Sequence, residues 1–172
     1  AVSEAFAVIE GESILTKRGL EAMQKAGWKE TWEGVRLAVS RWWHIIWTSI
    51  IGLIIGVVPG AGAAIASFVA YQQSKTFSKT PELYGTGHLD GLVAPESANN
   101  GVTSGTLIPL LVIGVPGGAT AAIMAVVLQY HGVTVGPDLF DSQPELAYGA
   151  FTAMAVTYAI MIATILPLAR YM

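Results

Sequence analysis

Three stretches of this 172-residue sequence, residues 42–74, 97–137 and 146–169, contain no Asp, Glu, Lys or Arg. Each is longer than the ~20 predominantly apolar residues that carry a helix across a bilayer. Charged residues amount to 12% of the chain and hydrophobic ones to 53%, whereas soluble domains carry about 25% charge. A soluble enzyme is thereby excluded, and an all-α integral membrane protein is expected. With no cysteine in the chain, disulfide scaffolds, thiolate metal sites and Cys nucleophiles fall away. A net charge of −3 offers no basic face for nucleic acid. The sequence opens on Ala1 with no basic n-region before an apolar stretch, and its last apolar run stops at Arg170. It reads as an internal stretch of a longer polypeptide rather than one that begins with a signal peptide.

Residues 1–41 hold six basic and six acidic side chains. From Ile14 to Leu37, apolar residues recur at helical spacing (Leu15, Leu20, Met23, Trp28, Trp32, Val35) between Lys17, Arg18, Lys25, Lys29 and Arg36. That pattern predicts an amphipathic helix at a membrane surface, or a connector helix. All five tryptophans, Trp28, Trp32, Trp42, Trp43 and Trp47, fall where an aromatic band would sit at headgroup level. Residues 42–74 are interrupted at Pro59-Gly60-Ala61-Gly62, which leaves flanks too short to cross a ~30 Å core comfortably one at a time. One kinked span and a re-entrant hairpin with its tip at 59–62 both fit. Arg36 and Arg41 before the segment and Lys75 and Lys79 after it favour the hairpin, because basic ends prefer one face of the membrane. Residues 75–101 read as a polar loop and helix start. Residues 102–130 read as a discontinuous transmembrane helix broken at 116–118, with a further proline at Pro109. Residues 131–145 form an acidic loop (Asp138, Asp141, Glu145), and residues 146–172 a final transmembrane helix with a late Pro167. Placing the acidic loop outside puts all nine Lys and Arg on one side.

The two breaks look alike: Gly56-Val57-Val58-Pro59-Gly60-Ala61-Gly62 against Gly114-Val115-Pro116-Gly117-Gly118-Ala119-Thr120. A Pro-Gly break in hydrocarbon frees backbone groups that only protein or a water-lined cavity can satisfy. Paired breaks of this kind point to a midplane binding site in secondary transporters. The competing reading is packing alone, since Gly52, Gly56 and Gly60 form a small-residue stripe. A helix starting after each break would present free N–H groups that suit a carboxylate. No Lys or Arg occurs from Thr80 to Ala169, so amides and the hydroxyls of Thr103, Ser104, Thr106 and Thr120 would have to serve. Exposed backbone carbonyls suit a hard cation such as sodium. Between the breaks lies Ala94-Pro95-Glu96-Ser97-Ala98-Asn99-Asn100-Gly101. Glu96 is either an ordinary first-turn acid after a helix-starting proline, with an Asn-Asn-Gly turn following, or part of a polar cluster able to hold a cation or carry a proton. Gly85-Thr86-Gly87 lacks a dinucleotide fingerprint. His44, His88 and His131 have no metal-ligand spacing, and no nucleophile–base pair is visible.

These residues resemble the large membrane subunit of the tripartite tricarboxylate transporters, the TctA family. The resemblance rests on Gly52-x3-Gly56-x2-Pro59-Gly60-x-Gly62, Ala94-Pro95-Glu96-x-x-Asn99-Asn100, Leu107-Ile108-Pro109-Leu110-Leu111, Gly114-Val115-Pro116-Gly117, and Gly132 with Gly136-Pro137. It covers about residues 36–140 and implies much of the second half of a protein with two related halves. The implied fold is half of an inverted-repeat, elevator-type secondary transporter. The implied function is uptake of tricarboxylates or other carboxylates across a bacterial inner membrane, driven by a sodium or proton gradient. A periplasmic solute-binding protein and a small membrane subunit would be partners, and no cofactor is expected beyond the coupling ion. Carried over by position, Pro59, Gly60 and Gly62 would form one tip and Pro116 and Gly117 the other, with Glu96, Asn99 and Asn100 beside them. Ser97 stands where Ala is usual, and Gly118 where Ser is usual, so the second tip lacks a hydroxyl. A passive pore and a non-transporting scaffold are the other readings.

Overall fold

The structure, a computed structural model, describes residues 28–169. Most of the expected amphipathic segment, including Leu15, Leu20 and Met23, lies outside the described residues. Among the described residues all regular structure is helical: α1 (Trp28–Ser40), α2 (Trp42–Val57), α3 (Gly62–Phe77), a 3₁₀ turn (Pro81–Leu83), α4 (Leu89–Gly105), α5 (Leu107–Ile113), α6 (Ala119–Tyr130), α7 (Leu139–Ser142) and α8 (Pro144–Ala169). The chain divides into two units, one of them Leu37–Ala159 and the other made of Ala1–Arg36 with Ile160–Met172. In the second, the described parts are the start of α1 and the end of α8.

Within Leu37–Ala159, α2 and α3 lie antiparallel. His44 near the start of α2 meets Ser74 near the end of α3, Nε2 to Oγ at 2.9 Å, while residues 58–61 join their other ends. Helix α2 is rich in Ile, a poor helix former in water. In hydrocarbon, every backbone group must find an internal partner, so the helix forms regardless. Both legs pack on α4, and the fit against α2 is made by backbone. A Cβ on Gly52 would overlap the carbonyl oxygen of Ala98, and one on Gly101 would overlap that of Ser49. A Cβ on Gly56 would lie 2.7 Å from the carbonyl oxygen of Val102 and 3.0 Å from the Cα of Gly105. Glycines at four-residue spacing on both helices thus face each other, the arrangement that lets helices associate without a hydrophobic drive. The stripe ends at Gly56. Gly60 sits beyond it at the tip with φ of 85°, its Cβ direction open. Helix α3 contributes Ala66 and Ala70, both fully buried against α4.

Helix α4 takes up the second part of the stretch 75–101, expected as a polar loop and helix start. It begins at Leu89, with His88 extended at its N-cap and Asp90 in the first turn, an acid placed favourably against the helix dipole. Pro95 is therefore inside the helix rather than at its start, and Asn99-Asn100-Gly101 is helical rather than a turn. Tertiary packing of Gly101 against α2 overrides the turn preference of the local sequence. Thr106 separates α4 from α5, because Pro109 has no N–H to offer the carbonyl of Gly105 and its ring crowds that group. Beyond α5, Gly114 adopts the left-handed conformation (φ 76°). Leu107, Leu110 and Leu111 share one apolar core with Ala121, Ala125, Val133, Leu139 and Ala147, so residues on both sides of the second break belong to one packed layer. The acidic stretch 131–145 includes the short helix α7, with Leu139 buried.

Among the described residues, one helix is long and apolar enough to cross a membrane, Pro144–Leu168, and none of its window is buried inside the chain. The bent pair Trp28–Ser40 and Trp42–Val57 makes a second candidate.

Gly101→Ala in the full-length protein should destabilise it, because the new methyl meets a backbone carbonyl that cannot rotate away; overpacking of this kind costs about 1–3 kcal/mol. Gly149→Ala, where a Cβ meets nothing within 4 Å, should leave stability level or slightly raised. Melting of both variants in detergent, followed by size-exclusion chromatography, checks the pair.

Candidate functional site

The two Pro-Gly breaks meet. The N–H of Gly60 donates to the carbonyl oxygen of Gly117 at 3.2 Å, and the N–H of Gly117 donates to the carbonyl oxygen of Thr106 at 3.3 Å. A Cβ on Gly117 would lie 2.8 Å from the Cα of Thr106 and 3.0 Å from the carbonyl oxygen of Gly56. The glycine is needed there for close approach, since the backbones of α2's end, Thr106 and the second break lie against one another. At the first break the requirement is conformational: Gly60 and Gly62 have φ of 85° and 71°, values that cost an L-residue with a Cβ about 1–2 kcal/mol. Gly118 is extended (φ −169°), and a Cβ there would meet only the Thr106 methyl at 3.3 Å. That methyl fills the space next to the missing side chain.

Helices α3 and α6 both begin at these breaks, with Ala61 and Gly118 at their N-caps and no side-chain cap on either. Their first-turn N–H groups carry the positive ends of two helix dipoles. Helices α2 and α5 end at the same breaks, presenting terminal carbonyls. Hydrogen-bond donors for an anion and acceptors for a hard cation therefore lie within one backbone junction, supplied almost without side chains. Pro59 and Gly60 are exposed at the first tip, and Pro116 is half-buried at the second, where Gly117 is buried. Thr120, the second residue of α6, is exposed. The Thr106 hydroxyl is engaged, donating to the carbonyl oxygen of Thr103 at 2.9 Å.

Glu96, Asn99 and Asn100 are on α4, on the side turned away from the hairpin legs: all three are exposed, while Ala94, Ser97 and Ala98 on the opposite side are buried. Asn100 donates through Nδ2 to the carbonyl oxygen of Glu96 at 2.9 Å. Glu96 lies ten residues before Thr106, or about 15 Å along the helix, and Asn99 about 10 Å. The structure thus brings the two tips together and spreads the polar residues along a stripe that leads toward them, with Thr103 one turn short of the junction. Sequence reasoning missed the part played by Gly101 and Gly105, which seat α4 on α2. Their four-residue spacing, matching that of Gly52 and Gly56, was the signal. Among the described residues no group of three His, Cys, Asp or Glu is arranged to hold a metal ion.

The family described as "Tripartite tricarboxylate transporter TctA family" matches residues 1–172. An uncharacterised 52.8 kDa protein of the TAR-I ttuC' 3' region of Agrobacterium vitis is 39% identical over 124 residues, which are 72% of this chain and 25% of that protein. A second uncharacterised protein, from the TAR-II ttuC' 3' region of Agrobacterium vitis, is 38% identical over 117 residues, 68% of this chain and 48% of that protein. The chain therefore spans a quarter to a half of the curated relatives that it matches. No solved structure matches.

Gly117→Ala should push the junction apart and lower the melting temperature of the parent protein, because its Cβ would lie 2.8 Å from the Cα of Thr106, while Gly118→Ala, which displaces only a methyl group, should stay close to the unsubstituted protein. Melting of both variants in detergent would separate the two.

Proposed function

The chain belongs to the tripartite tricarboxylate transporter TctA family, and from that premise we propose that it forms part of the membrane permease of a binding-protein-dependent secondary transporter for tricarboxylates or other organic carboxylates. The observation that supports this reading most directly is the hydrogen bond from Gly60 to Gly117. It joins two Pro-Gly breaks that lie 57 residues apart in the sequence, where a transporter built on broken helices would bind its substrate. In the proposed mechanism, N–H groups at the starts of α3 and α6 receive a substrate carboxylate, and the terminal carbonyls of α2 and α5 coordinate the coupling cation. The cation offsets the substrate's charge where no Lys or Arg is present, and each ion then favours binding of the other. Sodium fits such carbonyl ligands; with proton coupling, Glu96 would be the carrier.

Glu96, Asn99 and Thr103 would line the approach to the junction. A polar stripe on a helix among apolar neighbours needs water or protein beside it. The other half of the permease, by analogy with repeat-built transporters, would form the facing wall and move relative to this half. A periplasmic solute-binding protein would deliver substrate, a small membrane subunit would accompany the permease, and the assembly would reside in a bacterial inner membrane.

The test uses the full-length parent with its neighbouring subunits in liposomes. Labelled citrate uptake is followed under an imposed sodium gradient and then a proton gradient, with and without the binding protein. Uptake that requires both a gradient and the binding protein is expected, and the effective gradient names the coupling ion. Citrate flux indifferent to both would favour a pore. Within the same assay, Asn99→Ala and Glu96→Gln should each lower uptake about tenfold, equivalent to the ~1.4 kcal/mol of one lost polar contact. Unchanged uptake in a well-expressed complex would remove the α4 stripe from the site.

A further inference from the structure

The opposite end of the hairpin holds a cavity of about 620 Å³, roughly 24 Å from the tip by helix length. Its floor is a fixed network. Ser74 Oγ lies 2.9 Å from His44 Nε2 and 2.7 Å from the Tyr84 hydroxyl, which donates in turn to the Ser74 carbonyl oxygen at 3.1 Å. Tyr84 stacks on His88 with ring centroids 5.0 Å apart. The buried Nδ1 of His88 has no hydrogen-bond partner among the described residues. Two cations, Arg41 and Lys79, and one acid, Asp90, line the cavity. Arg41 Nε lies 3.3 Å from Asp90 Oδ1, an ion pair by distance in which the buried Oδ1 has no hydrogen-bond partner among the described residues, so the guanidinium N–H groups stay available. The hydroxyls of Ser78 and Thr80 stand beside Lys79, and the backbone N–H of Thr80 already turns back onto Ser78 Oγ at 3.1 Å. The remaining wall is aromatic: Trp43, Trp47 and Phe77, with Phe77 76% exposed.

Two cations with hydroxyls beside them suit a phosphate ester. An aromatic wall directly beside them suits an apolar tail rather than a free ion. Tryptophans at the start of α2 mark headgroup depth, and basic pockets between membrane helices are where anionic headgroups settle. We propose that this cavity, at the base of the hairpin, binds the phosphate headgroup of an anionic phospholipid, with Arg41 and Lys79 as its cations and the Trp43–Phe77 wall against the acyl chains. The site is separate from the Gly60–Gly117 junction and independent of which substrate is carried.

The experiment is competition native mass spectrometry on the full-length parent complex, with phosphatidylglycerol against phosphatidylcholine, and glycerol phosphate as the soluble headgroup. Preferential retention of phosphatidylglycerol is expected. Lys79→Gln, an exposed position where folding is not at stake, should lower its affinity about fivefold, the worth of one basic residue at an anionic surface. Lys75→Gln, one charge outside the cavity wall, should change it less than about twofold. Arg41→Gln should act like Lys79→Gln, with melting measured alongside because it also frees Asp90. Equal retention of the two lipids would overturn the proposal. So would an equal loss in Lys75→Gln and Lys79→Gln, which would mean general surface charge. Displacement of phosphatidylglycerol by glycerol phosphate at similar concentration would assign the cavity to a soluble phosphate ester and overturn the lipid reading.

Discussion

The contact on which the rest depends is backbone against backbone, where Gly52 and Gly56 of α2 lie on Ala98, Val102 and Gly105 of α4, and Gly101 and Gly105 of α4 lie on Ser49, Leu53 and Gly56 of α2. In lipid, apolar side chains gain nothing by leaving one apolar surroundings for another, so association rests on dispersion and short polar contacts at close range. Removing four side chains allows that range. It also fixes the register, because a shift of one residue along either helix would drive a side chain into a carbonyl. Gly56 belongs to this seam and to the junction at once: one side of it faces Gly105, and its carbonyl oxygen faces Gly117. The packing that holds the hairpin on α4 therefore also determines where the hairpin tip arrives.

At the tip, proline and glycine have separable effects. Pro59 stops α2 by withholding an N–H, α5 closes on the left-handed Gly114 ahead of Pro116, and the glycines that follow the prolines either turn the chain (Gly60, Gly62) or let it approach another backbone (Gly117). The groups so released are partly satisfied by each other, through Gly60 to Gly117 and Gly117 to Thr106. What remains, the uncapped first turns of α3 and α6, has no basic side chain near it in sequence. An anion bound here would be held by amides and dipoles, which are fixed by the fold and need no reorganisation when a ligand arrives.

Much of this was legible because Pro-Gly interruptions in uncharged segments have few structural meanings. The helical class and the positions of both breaks follow from local rules, and so does the long apolar helix α8. The extent of α4 does not. Pro95 reads locally as a helix start, and Asn99-Asn100-Gly101 as a turn, yet all four residues are helical because Gly101 is fitted against Ser49 of α2. Such packing joins residues 52 positions apart and leaves no trace in a local window. The same is true of the base network, where His44, Ser74 and Tyr84 come from three separate elements and only the fold makes them neighbours. Gly60 shows the converse error. It continues a four-residue stripe on paper, but the helix has already ended at Val57, so its role is conformational rather than interhelical.

The two ends of the hairpin are held unequally. At the base, the Ser74–His44–Tyr84 network ties the legs to each other and to the segment leading into α4, with the glycine seam close behind it. At the tip, the described contact with the second break is a backbone hydrogen bond from Gly60, together with the close approach of Gly117 to Gly56. A single such bond contributes about 0.5–1.5 kcal/mol net. Parting the breaks would forfeit this bond and leave the α2–α4 register intact. A ligand that supplied its own acceptor to the Gly60 N–H would replace most of what is lost. In the proposed mechanism, the bond broken on opening would then be one that an incoming carboxylate oxygen restores.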